Sequence, residues 1–514
     1  MDLMHRRTFL ATVCASGLLT ACGGGNSSNA GSSGNVGSYG SVGATPPTNI
    51  KVPLTIDLTK AALPAGASTV AYAYIIGGLY TDANLTNFAC YRLGASGTVH
   101  AIVPPQTDAK GNPIPLTGDN TIAANTFPDP NNVVNASDTQ TIINGNNYPT
   151  DWADYSIPLS VTQPNVIELG NINTTNITGL GKGNNAFSMR IYISLGIPKL
   201  PFTAQVPSGG GVTYQNPYAG PGFDSGAPGS LCLFDWFECS IDSTGVLNGN
   251  STYVDQFGMP LIVNAQPGGS PQGQLTISRT KTLANIAAFD QTVYAGLAQQ
   301  VTAPSAYPTG TAYLRAISPD HLSGLALSDP LPGDPTHTKP AGTTAFQTYF
   351  DTAIASWNGQ QISITDTASG TYVGTPSGGV WTFTYQSGGA AGAGSPATLD
   401  FGQITTANIW QCNGTLAQGS AAQLNIGKQI LAAFNRGVMS TTLDDGNCPA
   451  ASTFYPSGGT FNRWSKSFHD WSANGQAYGF AYDDVCGANP SFNTTGALQS
   501  LTITLGLIPD LVPL

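Results

Sequence analysis

The stretch Leu231-Cys-Leu-Phe-Asp-Trp-Phe-Glu-Cys-Ser-Ile-Asp242 decides how the rest of this chain is read. It is rich in aromatic and apolar side chains and contains no Gly or Pro, the composition of a strand. Side chains alternate between the two faces of a strand. One face then carries Leu233, Asp235, Phe237, Cys239 and Ile241 and reads as core. The other carries Phe234, Trp236, Glu238, Ser240 and Asp242, combining rings, carboxylates and small hydrogen-bonding groups, the materials of a sugar-binding surface.

Beyond it, Ser243-Thr-Gly-Val-Leu-Asn-Gly-Asn250 reads as a connection and Ser251-Thr-Tyr-Val-Asp-Gln-Phe-Gly258 as a returning strand. Glu238 and Asp255 lie equally far from the middle of that connection, so a regular hairpin sets them roughly opposite each other. Two carboxylates facing one cleft are the minimal apparatus for cleaving a glycosidic bond: one protonates the leaving oxygen, the other activates water or attacks the sugar carbon. Hairpin spacing alone does not separate the roughly 5 Å gap of retaining enzymes from the wider gap of inverting ones. The acid inventory narrows the choice. Of 28 acidic residues only two are Glu, and Glu168, in Asn165-Val-Ile-Glu-Leu-Gly170, reads as an ordinary solvated strand end.

Phe234-Asp-Trp-Phe-Glu-Cys, followed by Asn250-Ser-Thr-Tyr-Val-Asp-Gln-Phe-Gly-Met-Pro-Leu261, resembles the signature of glycoside hydrolase family 64, bacterial β-1,3-glucanases related to the thaumatin-like proteins. Tyr349-Phe-Asp…Trp357, Trp410-Gln-Cys-Asn-Gly414, Ala432-Ala-Phe-Asn-Arg436 and Tyr478-Gly-Phe-Ala-Tyr-Asp-Asp-Val-Cys486 are similar to that family's later blocks, in the same order. The likeness runs over about residues 50–508. It implies a mainly β fold with an α/β part: a thaumatin-like β-sandwich or barrel domain plus a mixed α/β domain, forming a wide groove. It also implies an inverting enzyme that releases short oligosaccharides, notably the pentaose, from β-1,3-glucan, with Glu238 as acid and Asp255 as base. The family's sugar-contacting positions fall on Ser240, Asp242 and Thr252. Phe234 and Trp236, on the same face as the acid, are expected to join them. Thaumatin-like proteins line their cleft with an acidic pair, which makes Asp484 of Asp483-Asp484 a further candidate contact, against a structural role for that pair. Two departures bear on product length and substrate grip: the connection is one residue longer than the family's, and Leu247 and Asn248 stand where an aromatic residue is expected.

The flanking segments fit this division. Thr69-Val-Ala-Tyr-Ala-Tyr-Ile-Ile76, Ser188-Met-Arg-Ile-Tyr-Ile-Ser194 and Gln274-Leu-Thr-Ile-Ser278 read as strands, separated by Asn-, Gly- and Pro-rich loops such as 105–150 and 204–228. Helical spacing is convincing only after residue 280, over 281–299, 343–357 and 420–436, and Asn462 to Trp471 reads as one more short helix. Leu498 to Leu505 returns to β. The prediction is a β-sandwich or barrel domain of residues 49–265 and 453–514, into which a mixed α/β domain, 266–452, is inserted.

Upstream, Arg6-Arg7 precedes an apolar run from Phe9 to Leu19, too short to span a bilayer and laid out as an export signal of twin-arginine character. Leu19-Thr20-Ala21-Cys22 resembles a bacterial lipobox, so residues 1–22 read as the signal, Cys22 as the lipidation site and 23–48 as a flexible Gly/Ser-rich tether. Export, a lipid anchor in the cell envelope and a monomeric state are the expectation. With 9% charged residues, a net charge of −11 and no basic stripe, nucleic acid is excluded as a partner. Six Cys lie in the body, at 90, 232, 239, 412, 448 and 486, and an even number in an exported chain predicts disulfides. Cys232 and Cys239 stand about 23 Å apart in an extended strand, too far to bond directly. No Cys or His spacing calls for a metal or cofactor. His469-Asp470 beside Trp471 reads as structural, lacking a Ser in a nucleophile elbow. The alternative reading is a non-catalytic thaumatin-like glucan-binding lipoprotein, and a third is a structural surface lipoprotein. The two carboxylates weigh against both.

Overall fold

Strands with alternating apolar residues stack as two sheets around an aliphatic core. In the computed structural model, residues 52–508 are described apart from interior stretches, chiefly 64–69, 81–87, 103–151, 170–186, 205–217, 220–231, 301–312, 325–329, 339–343 and 390–395. The export signal, Cys22, the tether and most of both long loops lie outside the described residues.

In chain order the strands of this first body are β1 (Pro53–Asp57), β2 (Ala71–Tyr80), β3 (Phe88–Leu93), β4 (Val99–Ile102), β5 (Ile157–Leu159), β6 (Asn165–Glu168), β7 (Phe187–Leu195), β8 (Leu233–Ile241), β9 (Val246–Ser251), β10 (Leu261–Gln266), β11 (Phe492–Ala497) and β12 (Ser500–Leu505). One sheet runs β10-β12-β1-β6 and the other β11-β9-β8-β7-β2-β3-β4, with β5 added on β2. β1 lies parallel to β12, so segments near both ends of the chain close one sheet. Leu54, Ile56, Ile191, Ile193, Phe237 and Ile503 fill the space between the sheets. Alternating burial in β1, β10 and β12 shows each strand giving one face to that core and one to solvent.

The second body holds a five-stranded sheet ordered 398–403, 380–387, 370–374, 362–366 and 442–444. The helix α1 (Ala421–Arg436) is capped by Ser420 at its start and ends at Gly437 in the left-handed region. Gly427 lets α1 approach the backbone closely, since a Cβ there would lie 2.0 Å from the Leu416 carbonyl oxygen. A mainly β part joined to an α/β part is the architecture expected.

β7 and β8 are buried on both faces along part of their length. There the second body packs against the big sheet: Tyr192, Phe234 and Trp236 share one aromatic cluster with Phe257, Trp410 and Phe468. Residues from the 463–480 segment, including Trp464 and Phe480, enter the same cluster.

Several local expectations are corrected. Residues 281–299 form helices at Arg279–Ala287 and Gln291–Tyr294 and then a strand at Ala298–Gln300, because Asp290 restarts the helix by capping Thr292. The 343–357 stretch divides into Thr344–Gln347 and Asp351–Ser356. Gln274–Ser278 is no strand: Leu275 makes an isolated bridge to Ser472, and Ser278 caps the following helix through the Lys281 amide. The helix expected at 462–471 is present as α2 (Arg463–Trp471), capped by Asn462. Cys448 and Cys486 form the single disulfide among the described residues, while Cys232, Cys239 and Cys412 are buried thiols. Burial pushes all three thiols up, Cys232 to about 12, so they behave as small apolar core groups rather than cross-links.

Candidate active site

The hairpin of β8 and β9 turns earlier than the spacing suggested. Asp242 Oδ1 accepts from Thr244 N (2.8 Å), Thr244 Oγ1 (2.6 Å) and Val246 N (3.1 Å), and Gly245 takes φ +83°, closing a tight turn. β9 begins at Val246, and Glu238 pairs with Asn250 instead of Asp255. The expected opposition of the two carboxylates across a ladder is therefore corrected: Asp255 follows β9 in the connection to the short strand Gln256–Phe257. Leu247, read as loop, is fully buried in the aliphatic core, and Asn248 hydrogen-bonds Asn493 of β11.

Glu238 stands on β8 beside Arg190 of β7, its direct cross-strand partner. Arg190 Nη2 lies 2.5 Å from Glu238 Oε1, and Trp236 Nε1 donates to the same oxygen at 3.3 Å. The guanidinium also sits 5.4 Å from the Trp236 ring centroid, so one cation is held by a carboxylate and an aromatic face at once. The Glu238 side chain keeps 24% exposure, open enough to meet a ligand.

Asp255 is placed by a set of buried anchors. Asp235, on the opposite face of β8 from Glu238, accepts from the amides of Gly258 (2.8 Å) and Met259 (3.1 Å) through Oδ2 and of Trp236 (2.9 Å) through Oδ1. Burial nevertheless holds its carboxyl up at about 7. Gln256 Nε2 donates to the Phe234 carbonyl at 2.8 Å, and Arg279 Nε to the Gly258 carbonyl at 2.7 Å. On the other side Tyr253 stacks on Phe468 with centroids 4.1 Å apart, and Trp464 Nε1 donates to the Tyr253 carbonyl at 2.8 Å. The Asp255 side chain emerges from this frame with 12% exposure and meets His321 Nε2 at 3.0 Å.

Tyr192 lies beside Trp236 on the neighbouring strand. Burial lifts its hydroxyl above the usual tyrosine range, Arg190 pulls it back, and the charges of both Glu238 and Asp255 add to the rise. A small cleft beside Asp255 is lined by Val254, Ser318, Asp320, Trp410, Gln411 and Phe480.

Other expected contacts fall differently. Phe234 and Trp236 are 1% and 4% exposed, so the sugar-facing surface expected of them is corrected to a buried wall behind Glu238, covered by the second body. Ser240 and Asp242 are half-buried on the Glu238 face, and Asp242 spends Oδ1 on the turn. Thr252 is buried, its hydroxyl accepting from Val254 N at 3.2 Å. The charged neighbours of Asp484 are Lys428, Arg436 and Asp483; its Oδ1 is buried without a hydrogen-bond partner among the described residues, and burial raises it to about 7. Asp483 is structural, gripped by Arg436 (3.0 Å), His469 (3.0 Å) and Ser465 (2.9 Å). His469 therefore pairs with Asp483, not with Asp470, which bonds Lys466. Arg190, Tyr192, Asp235 and His321 were not foreseen. Alternation in Ser188-Met-Arg-Ile-Tyr-Ile-Ser194 could have exposed the first two; nothing in the sequence links His321 to Asp255.

The sequence model of a β-1,3-glucanase family, glycoside hydrolase family 64, matches residues 116–505. No curated protein matches the chain. Among solved structures, a laminaripentaose-producing β-1,3-glucanase in complex with laminaritetraose superposes with a TM-score of 0.59 at 21% identity, over 89% of this chain and 98% of that one. A β-1,3-glucanase domain from Clostridium beijerinckii gives 0.54 at 21% identity, over 90% of this chain and 100% of its own. At that identity the likeness speaks for the fold.

Proposed function

Because the chain belongs to the β-1,3-glucanases of glycoside hydrolase family 64, we propose that it hydrolyses β-1,3-glucan by inversion, with Glu238 as general acid and Asp255 as general base. The observation that carries this reading is that Glu238, on a sheet strand beside Arg190, and Asp255, in the connection after β9 beside His321, both keep partly exposed carboxylates. Glu238 passes its proton to the glycosidic oxygen as the bond to the anomeric carbon breaks. A water attacks the opposite face of that carbon and gives its proton to Asp255. Arg190 is then in place to hold the carboxylate that Glu238 has become.

The register supports inversion over retention. A direct cross-strand neighbour of the acid would stand at about the 5 Å that a retaining nucleophile keeps. Those two positions are occupied by Arg190 and Asn250, neither of which is a carboxylate. Short laminari-oligosaccharides are the proposed products, with Ser240, Asp242 and Thr252 the nearest candidates for sugar contacts. Export and anchoring through Cys22 in the cell envelope, as a monomer, complete the proposal.

Glu238→Gln keeps the size of the side chain and removes its acidic proton. Turnover on laminarin should fall by about three orders of magnitude or more with the thermal midpoint unchanged. Near-wild-type turnover would remove Glu238 from the reaction. NMR of the first products should show the α-anomer, and an initial β-anomer would mean retention.

A further inference from the structure

We propose that His321 is a positioning residue for the general base: its Nε2–H pins Oδ1 of Asp255 at 3.0 Å, so that the other carboxylate oxygen faces the attacking water. The inference rests on the reading of Asp255 as base. A carboxylate acting as base carries no hydrogen, so the shared hydrogen belongs to the imidazole, which fixes the His321 tautomer.

The two residues are brought together by a frame, not by chance contact of mobile side chains. Gln256, next to Asp255, pairs with Ile317 in an antiparallel ladder, and Phe257 pairs with Ala316. The Ser318 amide donates to the Asp255 carbonyl at 2.9 Å and extends that ladder by one more bond. The helix Pro319–Gly324 starts immediately afterwards, with Leu322 N bonded to the Ser318 carbonyl at 3.1 Å, and places His321 in its first turn. Only Pro319 and Asp320 thus separate the side chain that holds the Asp255 carboxylate from the amide that holds its main chain.

Such a contact is needed at this site. The Asp255 backbone is anchored and its side chain keeps 12% exposure, so the orientation of its carboxylate is set by what its oxygens bond. His321, itself 29% exposed, supplies one such bond, to Oδ1. Asp320 neighbours His321 on the same short helix. No covalent step involves the imidazole: the water oxygen bonds to the anomeric carbon, its proton passes to Asp255, and His321 keeps its own.

The test compares H321A, H321Q, D255N and D255N/H321A in the full chain on laminarin, with kcat, KM and thermal midpoint measured for each. H321A should lose about 10- to 100-fold in kcat, the cost of a base displaced by about 1 Å, with KM within about twofold. H321Q, whose amide N–H can take over the hydrogen bond, should recover most of that loss. In the D255N background, removing His321 should cost nothing further. Wild-type kcat in H321A, equal losses in H321A and H321Q, or a further drop of the same size in the double variant would each overturn the proposal. Full activity in D255N would overturn the assignment of Asp255 itself, which separates the two failures.

Discussion

Gly258→Ala tests whether the position of Asp255 depends on the close seating of its loop against β8. A Cβ on Gly258 would lie 2.2 Å from the Phe234 carbonyl oxygen and 3.2 Å from its carbon. Ordinary contact begins near 3.4 Å, so the two segments must separate by 3.4 − 2.2 = 1.2 Å. Gly258 does not have a positive φ, so the strain is steric and not conformational. The shift stretches the 2.8 Å bond from the Gly258 amide to Asp235 Oδ2, and Asp255 lies three residues upstream on the same segment. A displacement of about 1 Å at a reacting group costs on the order of 100-fold in rate, while one weakened charged hydrogen bond costs about 1.5–3 kcal/mol of stability. The assay is kcat on laminarin alongside the urea midpoint. The expected result is a kcat about 100-fold lower in a protein that still unfolds cooperatively. Wild-type kcat with the same stability loss would refute the claim that this seating sets the position of the base.

Arg190→Met removes the cation 2.5 Å from Glu238 and should lower kcat by about 10- to 100-fold, the equivalent of a charged hydrogen bond of about 1.5–3 kcal/mol; an unchanged kcat would remove Arg190 from the reaction. Asp484 is raised to about 7 from 3.8, so the folded protein loses stability as pH climbs between those values. Asp484→Asn abolishes that loss: chemical denaturation should find it more stable than wild type at pH 8 by on the order of 2 kcal/mol, discounted for partial exposure, and equal to it near pH 4. The Cys448–Cys486 bond closes a loop with a sequence separation of 38. Replacing both with Ser should lower stability by about 3–4 kcal/mol in the chain-entropy account, read from the urea midpoint.

The strand around Glu238 was legible because its composition admits little else, and so was the β body that closes near both ends. Side-chain alternation named the two faces of β8 correctly but could not say what covers each of them. Phe234 and Trp236 face the side expected, yet they are buried, packed on each other and on Tyr192, with Arg315 over the Phe234 ring. The hairpin register failed for a different reason. Val-Leu-Asn-Gly-Asn looks like loop, but Gly249 is a strand residue: a Cβ there would lie 2.5 Å from Cζ of Phe237. The ring of the partner strand demands a glycine. His321 had no sequence signal because its pairing with Asp255 depends on a three-dimensional ladder, Gln256 with Ile317.

The early turn has a chemical consequence. Had the hairpin closed symmetrically about residues 246–247, Asp255 would have been the ladder partner of Glu238, at the roughly 4.5–5.5 Å that cross-strand side chains keep. That is the separation of a nucleophile and its acid in retaining enzymes. Asp242 and Gly245 close the turn sooner, so Asn250 takes the place beside Glu238 and Asp255 is carried off the sheet. The second carboxylate then needs its own support, which Asp235, Arg279 and the Ser318 amide supply. The two carboxylates proposed as acid and base therefore rest on separate frames. The spacing of the proposed pair is then set by how the loop seats against β8 rather than by the fixed repeat of a sheet.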